Sequence, residues 1–228
     1  MKRIAIGIVV AGVMSTSFAA NLSTETQKVS YAMGYETGKA LRMHEVSADP
    51  NAFAAGMKSG LNNTTPTMTE DNMQKTLQQF QSENAAKFAA AQKAQADTNT
   101  TAGAAFLAKN KTAPGVVALP SGLQYKIVDA GNATAASPKA TDRVTVDYEG
   151  SLINGTVFDS SYKRGQPATF AVNQVIPGWT QALQLMKPDA TWMLYIPSDL
   201  AYGPRGAGAA IGPNATLIFK VHLISVAS

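Results

Sequence analysis

The residues of this chain that could take part in chemistry lie in its C-terminal half, and most of them are aromatic or branched apolar side chains. The most prominent are Tyr148, Phe158, Asp159, Trp179, Tyr202 and Phe219. The chain has no cysteine and only two histidines, and no serine occupies a nucleophile elbow. Such a set is poorly suited to covalent catalysis, which needs an activated nucleophile and its base. It favours a pocket that holds an apolar ring without covalent bonds.

An apolar pocket with one carboxyl group and two phenols suits the ring of proline and the amide that precedes it. Rotation about a peptide bond meets a barrier of about 18–20 kcal/mol, because resonance gives the C–N bond double-bond character. A twisted amide loses that resonance and has a less polar carbonyl, so a water-poor pocket disfavours the planar ground state more. We therefore interpret Asp159 as an electrostatic and positioning group rather than a general base. This chemistry requires no cofactor and no metal.

Composition excludes several other classes of function. The net charge of +4 includes Lys2 and Arg3 at the very N-terminus, and neither half of the chain carries a basic patch, which argues against nucleic-acid binding. The absence of cysteine excludes disulfides, thiolate metal sites and a lipid-modified cysteine. The glycine-rich run 203–208 lacks the Gly-Lys-Ser/Thr that a phosphate-binding loop requires.

The first 20 residues have the three-part pattern of a secretory signal peptide. Lys2-Arg3 precede an apolar run from Ile4 to Met14, and Ser17-Phe18-Ala19 supplies small residues around a cleavage point. The apolar run is short for a membrane span, which makes an uncleaved anchor the weaker alternative. We expect export to the periplasm, the outer membrane or the cell surface.

Residues 21–66 are predicted to form a helical dimerisation domain. Apolar residues recur at helical spacing over 24–43, and Asp49-Pro50 is a favourable start for a second helix. These short helices cannot easily bury their apolar faces alone, so we expect a homodimer. A long linker helix is predicted over 67–114, with a start near Thr67 or Thr69 and a capping box in Thr67-Met-Thr-Glu70. The poor helix formers in 97–103 leave two possibilities open, a continuous helix or one that frays or kinks there.

Pro114-Gly115 is predicted to begin a third domain, at 115–228, whose pattern changes from helical to strand-like. Val144, Val146 and Tyr148 alternate with polar residues, and Asn154-Gly155 is a hairpin signal. Apolar residues also alternate along two further segments, which begin near Thr191 and Leu217. Before them, apolar residues at helical spacing, including Trp179, indicate a short helix. The predicted fold class is α+β, with an antiparallel sheet curled around a short helix and an all-α region before it.

The C-terminal domain resembles the FK506-binding class of peptidyl-prolyl cis/trans isomerases. The motifs that carry the resemblance are Val144-Thr-Val-Asp-Tyr-Glu-Gly150, Gly155-Thr-Val-Phe-Asp-Ser-Ser161, Val175-Ile-Pro-Gly-Trp179, Ser198-Asp-Leu-Ala-Tyr-Gly203 and Pro213-Asn-Ala-Thr-Leu-Ile-Phe219. The N-terminal helices and the run Gly115-Val-Val-Ala-Leu-Pro-Ser-Gly-Leu-Gln-Tyr125 further resemble the macrophage infectivity potentiator branch of Gram-negative bacteria. The resemblance covers essentially the whole chain after the leader.

This resemblance implies a pocket with Trp179 as its floor and Asp159 at its mouth. The implied catalytic residues are Tyr148, Phe158, Asp159, Trp179, Tyr202 and Phe219, and the implied substrate- and inhibitor-binding residues are Val175, Ile176, Arg164, Ala201 and Ile211. The Ile176 backbone N–H and the Tyr202 hydroxyl would hold ligand carbonyls, and Arg164 would orient the acid. Where many relatives have a pocket phenylalanine or a loop histidine, this chain has Ala168 and Ala207. We therefore expect a more open pocket.

The implied activity is isomerisation of X–Pro bonds in exported or surface proteins, with an association with virulence. The implied ligands are proline-containing polypeptides and macrolide inhibitors of the FK506 and rapamycin type; no nucleic acid is expected. Peripheral association with the outer membrane is compatible with the sequence. The alternative is a non-catalytic chaperone or surface-binding protein that uses the helical dimer as a cradle.

Overall fold

The computed structural model describes residues 22–227, so the predicted signal peptide lies outside the described residues. The chain divides into two compact units, residues 1–74 and 75–228. Most of the long helix belongs to the second unit, whereas the sequence predicts a boundary at Pro114-Gly115. No helix in the described part of the chain is both long enough and apolar enough to cross a membrane.

The first unit contains helices α1 (Glu25–Met43) and α2 (Pro50–Leu61). Thr24 and Gln27 form a reciprocal capping box on α1, and the Asp49 carboxylate accepts a hydrogen bond from the Ala52 N–H at 2.7 Å. The N-terminal caps of both helices thus accept hydrogen bonds from backbone N–H groups that have no partner inside the helix. None of the residues of these two helices, all of which the structure describes, is buried.

Helix α3 (Glu70–Asn110) begins in the first unit and continues in the second. Of the two predicted starts, Thr69 provides the cap: the Thr69 hydroxyl accepts a hydrogen bond from the Asn72 N–H at 3.3 Å.

Helix α3 is continuous over 97–103, which is one of the two possibilities that the sequence leaves open there. The hydroxyls of Thr98 and Thr100 donate to the carbonyls of Ala94 and Ala96, each at 2.8 Å, so these polar side chains are satisfied within the helix. Gly103 is the buried residue of α3, and its burial comes from the folded sheet domain rather than from the helix itself. Tertiary contact therefore outweighs weak local propensity.

An antiparallel sheet and two short helices form the rest of the second unit. The strands are β1 (Val116–Ala118), β2 (Gln124–Asp129), β3 (Arg143–Leu152), β4 (Val157–Ser160), β5 (Ala168–Ala171), β6 (Thr191–Ile196) and β7 (Leu217–Ala227). Their order is β1-β2-β6-β7-β3-β4, and β5 pairs with β3. Helices α4 (Ser161–Arg164) and α5 (Pro177–Leu183) follow β4 and β5. This architecture confirms the predicted α+β class.

The core lies between the sheet and α5. Val144, Val146 and Tyr148 of β3 are buried, as their alternation predicts, and β6 and β7 repeat the pattern. Trp179, Ala182 and Leu183 of α5 cover this face of the sheet. Packing of one helix against the concave face leaves Trp179 between the sheet and the segment that precedes α5.

Candidate functional site

The central strands provide the first walls of the site. In the β3–β7 register Gly150 lies opposite Phe219, and in the β3–β4 register it lies opposite Asp159. The rings of Phe158 and Phe219 meet edge to face across Gly150, with centroids 5.5 Å apart. A Cβ atom at Gly150 would lie 2.6 Å from the Phe219 ring and 2.7 Å from the Phe158 ring. The glycine is thus required for these two aromatic walls to approach each other.

Trp179 forms the floor. Pro177 fits the first turn of α5, which its fixed φ angle and missing N–H favour. The indole is 4% exposed. It packs edge to face against Tyr148, Phe170 and Phe219, at centroid distances of 5.3, 5.9 and 5.2 Å. The ring is therefore fixed on several sides, as a preorganised site requires.

A cavity of about 420 Å³ lies above this floor. It is lined by Tyr148, Phe158, Asp159, Phe170, Gln174, Val175, Ile176, Trp179, Tyr202 and Phe219. Its volume and apolar lining are those of a small-molecule or side-chain pocket.

The structure brings together all six residues predicted as catalytic, together with Val175 and Ile176. The other three predicted residues lie outside the cavity lining. Arg164 contacts two of its polar groups, Ala201 is half-buried beside Tyr202, and Ile211 lies in a separate cleft next to α3. Their roles in ligand binding remain predictions.

Sequence reasoning missed Phe170 and Gln174. Ala168 stands where many relatives have phenylalanine, and Phe170, two residues further along β5, lines the cavity. Strand alternation carries the signal that could have found it, since residues two apart share a face. Gln174 ends a short 3-10 turn that has no distinctive sequence pattern.

Three polar side chains meet at the mouth of the cavity. The Tyr148 hydroxyl donates to the Asp159 carboxylate, and Arg164 donates both to Asp159 and, at 2.9 Å, to the Tyr148 oxygen. The guanidinium carbon of Arg164 also lies 5.4 Å from the centre of the Tyr148 ring. The four-residue helix α4 turns the chain back after β4, which places Arg164 beside an acid only five residues earlier.

These contacts shift the pKa values of Asp159 and Tyr148 in opposite directions. Partial burial opposes ionisation of Asp159, but the hydrogen bonds from Tyr148 and Arg164 outweigh it and lower the pKa of the carboxyl. Burial, followed by the hydrogen bond to Asp159, raises the pKa of the Tyr148 phenol. At neutral pH the cluster therefore contains an ionised carboxylate and a neutral phenol.

A buried serine holds this part of the sheet in place. The Ser161 hydroxyl donates to the Asp147 carboxylate at 2.7 Å and accepts from the Tyr148 N–H at 2.9 Å. Ser161 is fully buried. It ties the first residue of α4, directly after β4, to the backbone of β3 at Tyr148, and so fixes the position of Asp159 relative to the phenol.

Comparison with known proteins identifies the family. Residues 134–224 match the model of the FKBP-type peptidyl-prolyl cis-trans isomerases, and residues 26–127 match the domain that lies amino-terminal to such isomerases. The peptidyl-prolyl cis-trans isomerase Mip of Coxiella burnetii is 50% identical over 229 residues, which cover 99% of each chain. This chain belongs to the FKBP-type peptidyl-prolyl cis-trans isomerases.

Two further similar proteins support the comparison over nearly the full length. The outer membrane protein MIP of Legionella longbeachae is 50% identical over 96% of this chain and 94% of its own. The crystal structure of FkpA from Escherichia coli matches with a TM-score of 0.71 and 33% identity, covering 91% of this chain and 99% of that one. The resemblance in sequence thus extends to the fold.

Proposed function

We propose that this FKBP-type isomerase accelerates rotation about X–Pro bonds by holding the proline ring over Trp179 and the preceding amide among the aromatic walls. The observation that carries this proposal is the cavity itself, which is floored by a buried indole and open at Tyr202 and Asp159. Tyr202 is 41% exposed and the Asp159 side chain is 42% exposed, so both can reach a bound chain. The cavity volume of about 420 Å³ accommodates a pyrrolidine ring with its neighbouring peptide groups.

The chemistry of the proposed step is non-covalent. As the C–N bond twists, the amide loses resonance, its carbonyl becomes less polar and its nitrogen becomes pyramidal. The apolar walls disfavour the planar, polar ground state more than this twisted state. A millionfold acceleration needs about 8 kcal/mol of such differential stabilisation. The ionised Asp159 and neutral Tyr148 supply a fixed field at the mouth, and no proton needs to move.

A proline-limited refolding assay tests the proposal directly. We expect the mature chain to accelerate the slow phase, and FK506 to abolish the acceleration at concentrations that fill the site. Tyr202→Ala should lower the rate because it removes a group that contacts the substrate. Tyr162→Ala is the matched control, since Tyr162 is similarly exposed but lies outside the cavity. A slow phase that is unchanged by the wild-type chain, under conditions in which FK506 binds, contradicts catalysis.

The first unit supports a proposal of homodimerisation. Large apolar side chains of α1 and α2 remain exposed: Val29, Tyr31, Met33, Tyr35, Met43, Phe53, Met57 and Leu61. Extensive exposed apolar surface of this kind marks association sites. Sedimentation should show a dimer for the mature chain and a monomer for Met33→Lys or Met57→Lys, whereas Gln92→Lys on α3 should remain dimeric. A monomeric wild type contradicts this part of the proposal.

The same exposed surface supports a second candidate function, that of a chaperone cradle for unfolded chains. Suppression of aggregation by the mature chain that persists in the presence of FK506 would support it. Suppression that is lost when FK506 is added would assign the effect to the isomerase site instead.

We also propose that the protein acts in the cell envelope on exported proteins and contributes to virulence. The predicted leader and the name of the Legionella longbeachae relative support this location. Cell fractionation and surface protease treatment would distinguish the periplasm, the outer membrane and the cell surface. Recovery of the intact, uncleaved chain in the cytoplasm would contradict export.

A further inference from the structure

We infer that Asn99 and Thr100 of helix α3 are positioning residues for the substrate site, although they do not line it. Both contact the segment that precedes β7. The Asn99 side-chain amide donates to the Pro213 carbonyl at 2.7 Å, and the Asn214 side-chain amide donates to the Thr100 hydroxyl at 3.1 Å. This inference rests on the proposed function, because it concerns the geometry of the same cavity.

The helix lies very close to this segment, so the contact is specific. A Cβ atom at Gly103 would overlap with the hydroxyl of Thr216, and one at Gly212 would lie 3.2 Å from the Asn99 amide nitrogen. Glycine at both positions allows the approach that the two hydrogen bonds require. Because buried carbonyls need a donor, loss of the Asn99 amide leaves the Pro213 carbonyl without this partner.

A short chain of bonds joins this contact to Tyr202. The backbone of Asn214 has a φ angle of +56°, a left-handed conformation that is unusual for residues other than glycine. Its N–H donates to the Gly203 carbonyl at 2.9 Å. Gly203 directly follows Tyr202, the exposed phenol at the edge of the cavity. Thr100 holds the side chain of Asn214, and the backbone of Asn214 holds the residue next to Tyr202.

Apart from the two hydrogen bonds to α3, the hydrogen bonds of the loop between Gly203 and Asn214 lie within the loop itself. Its tip is a small turn closed by backbone hydrogen bonds between Ala207 and Ile211, at 2.8 and 3.1 Å. Residues 208–210 are exposed, and Gly206 and Gly208 both have positive φ angles. Ala207 and Ile211 also pack against the hydrophobic core, so the tip is held there, whereas the hydrogen bonds from α3 act on the base of the loop at Pro213 and Asn214.

The consequence is that ligand affinity depends on a helix that the ligand does not touch. Weakening the contact between α3 and the loop should broaden the range of positions that Tyr202 occupies. Ligand binding must then order the loop. That ordering reduces affinity without changing the chemistry of the twisted amide. Asn99→Ala should therefore raise the KM for a proline peptide and the Kd for FK506 by about two- to tenfold, the range of one net hydrogen bond. The kcat should change little.

Asn110→Ala is the matched control. Asn110 also joins α3 to the sheet domain, through a hydrogen bond of 2.9 Å to the Gln124 side chain, but it has no bond to the loop between Gly203 and Asn214. Asn110→Ala therefore removes an asparagine side-chain hydrogen bond from the same helix as Asn99→Ala does. Gly103→Ala provides a second test, because the added methyl group overlaps with Thr216 and separates helix from segment while favouring the helix itself.

The experiment measures KM, kcat and FK506 affinity for the full mature chain and these three variants. Weaker binding by Asn99→Ala and Gly103→Ala, with Asn110→Ala at the wild-type value, supports the inference. Equal effects of Asn99→Ala and Asn110→Ala, or no effect of Asn99→Ala, overturn it while leaving the isomerase proposal intact. A wild-type chain that neither turns over peptide nor binds FK506 overturns both.

Discussion

Gly150→Ala should distort the aromatic walls of the cavity and destabilise the second unit. The added methyl group would lie 2.6–2.7 Å from ring atoms of Phe158 and Phe219, where ordinary carbon contacts are about 3.5–4.0 Å. Phe219 is buried and also contacts Trp179 edge to face at 5.2 Å, so it cannot move away from the added methyl group without disturbing the floor of the cavity. Overpacking a filled site costs about 1–3 kcal/mol. We expect a loss of stability in that range.

Urea unfolding followed by tryptophan fluorescence measures this loss, because both tryptophans lie in the second unit. The same displacement should raise the KM for a proline peptide, since Phe158 and Phe219 line the cavity. Gly60→Ala is the control: a Cβ there meets nothing within 4 Å, so the second unit should unfold as in the wild type. Wild-type stability and KM in Gly150→Ala would refute the packing argument.

Three further outcomes follow from the polar groups around the cavity. Asp159→Asn should reduce kcat/KM about tenfold or more without unfolding the protein, because it removes the charge that Tyr148 and Arg164 contact; full activity in refolding assays would contradict this role. The folded-state pKa of Asp159 is lowered, so its contribution to stability is present above the unfolded carboxyl pKa and is lost as the pH falls through the folded value. In urea titrations at pH 6 and pH 3, Asp159→Asn should therefore lose less stability on acidification than the wild type does. Ser161→Ala leaves the buried Tyr148 N–H without its partner and should cost about 1–3 kcal/mol in urea unfolding, with an unchanged midpoint as the contrary result.

Much of the fold follows from local pattern. The alternation of Val144, Val146 and Tyr148 predicts the buried face of β3, and Asp49-Pro50 predicts the start of α2, because each depends on residues close in sequence. The predicted cavity residues from Tyr148 to Phe219 also meet as expected, since the family motifs carry their order along the chain.

Other features depend on contacts that a local pattern does not contain. The close approach of α3 to the segment before β7 depends on Gly103 and Thr216, which are far apart in sequence. Phe170 enters the cavity because β5 pairs with β3, so that Phe170 lies opposite Val144. Ile211 faces the cleft beside α3 because its loop is closed by Ala207. Register and loop closure, rather than residue type, decide these positions.

The most direct test of the central claim is the solvent isotope effect on kcat/KM for a proline peptide, measured in H2O and D2O across the neutral range. If the cavity acts by stabilising a twisted amide, no proton is transferred in the transition state, and the ratio should be about 1. The ionised Asp159 and neutral Tyr148 should keep the value constant with pH in this range. A ratio of about 2 or more, together with a bell-shaped pH profile, would show that a side chain moves a proton and would contradict the account.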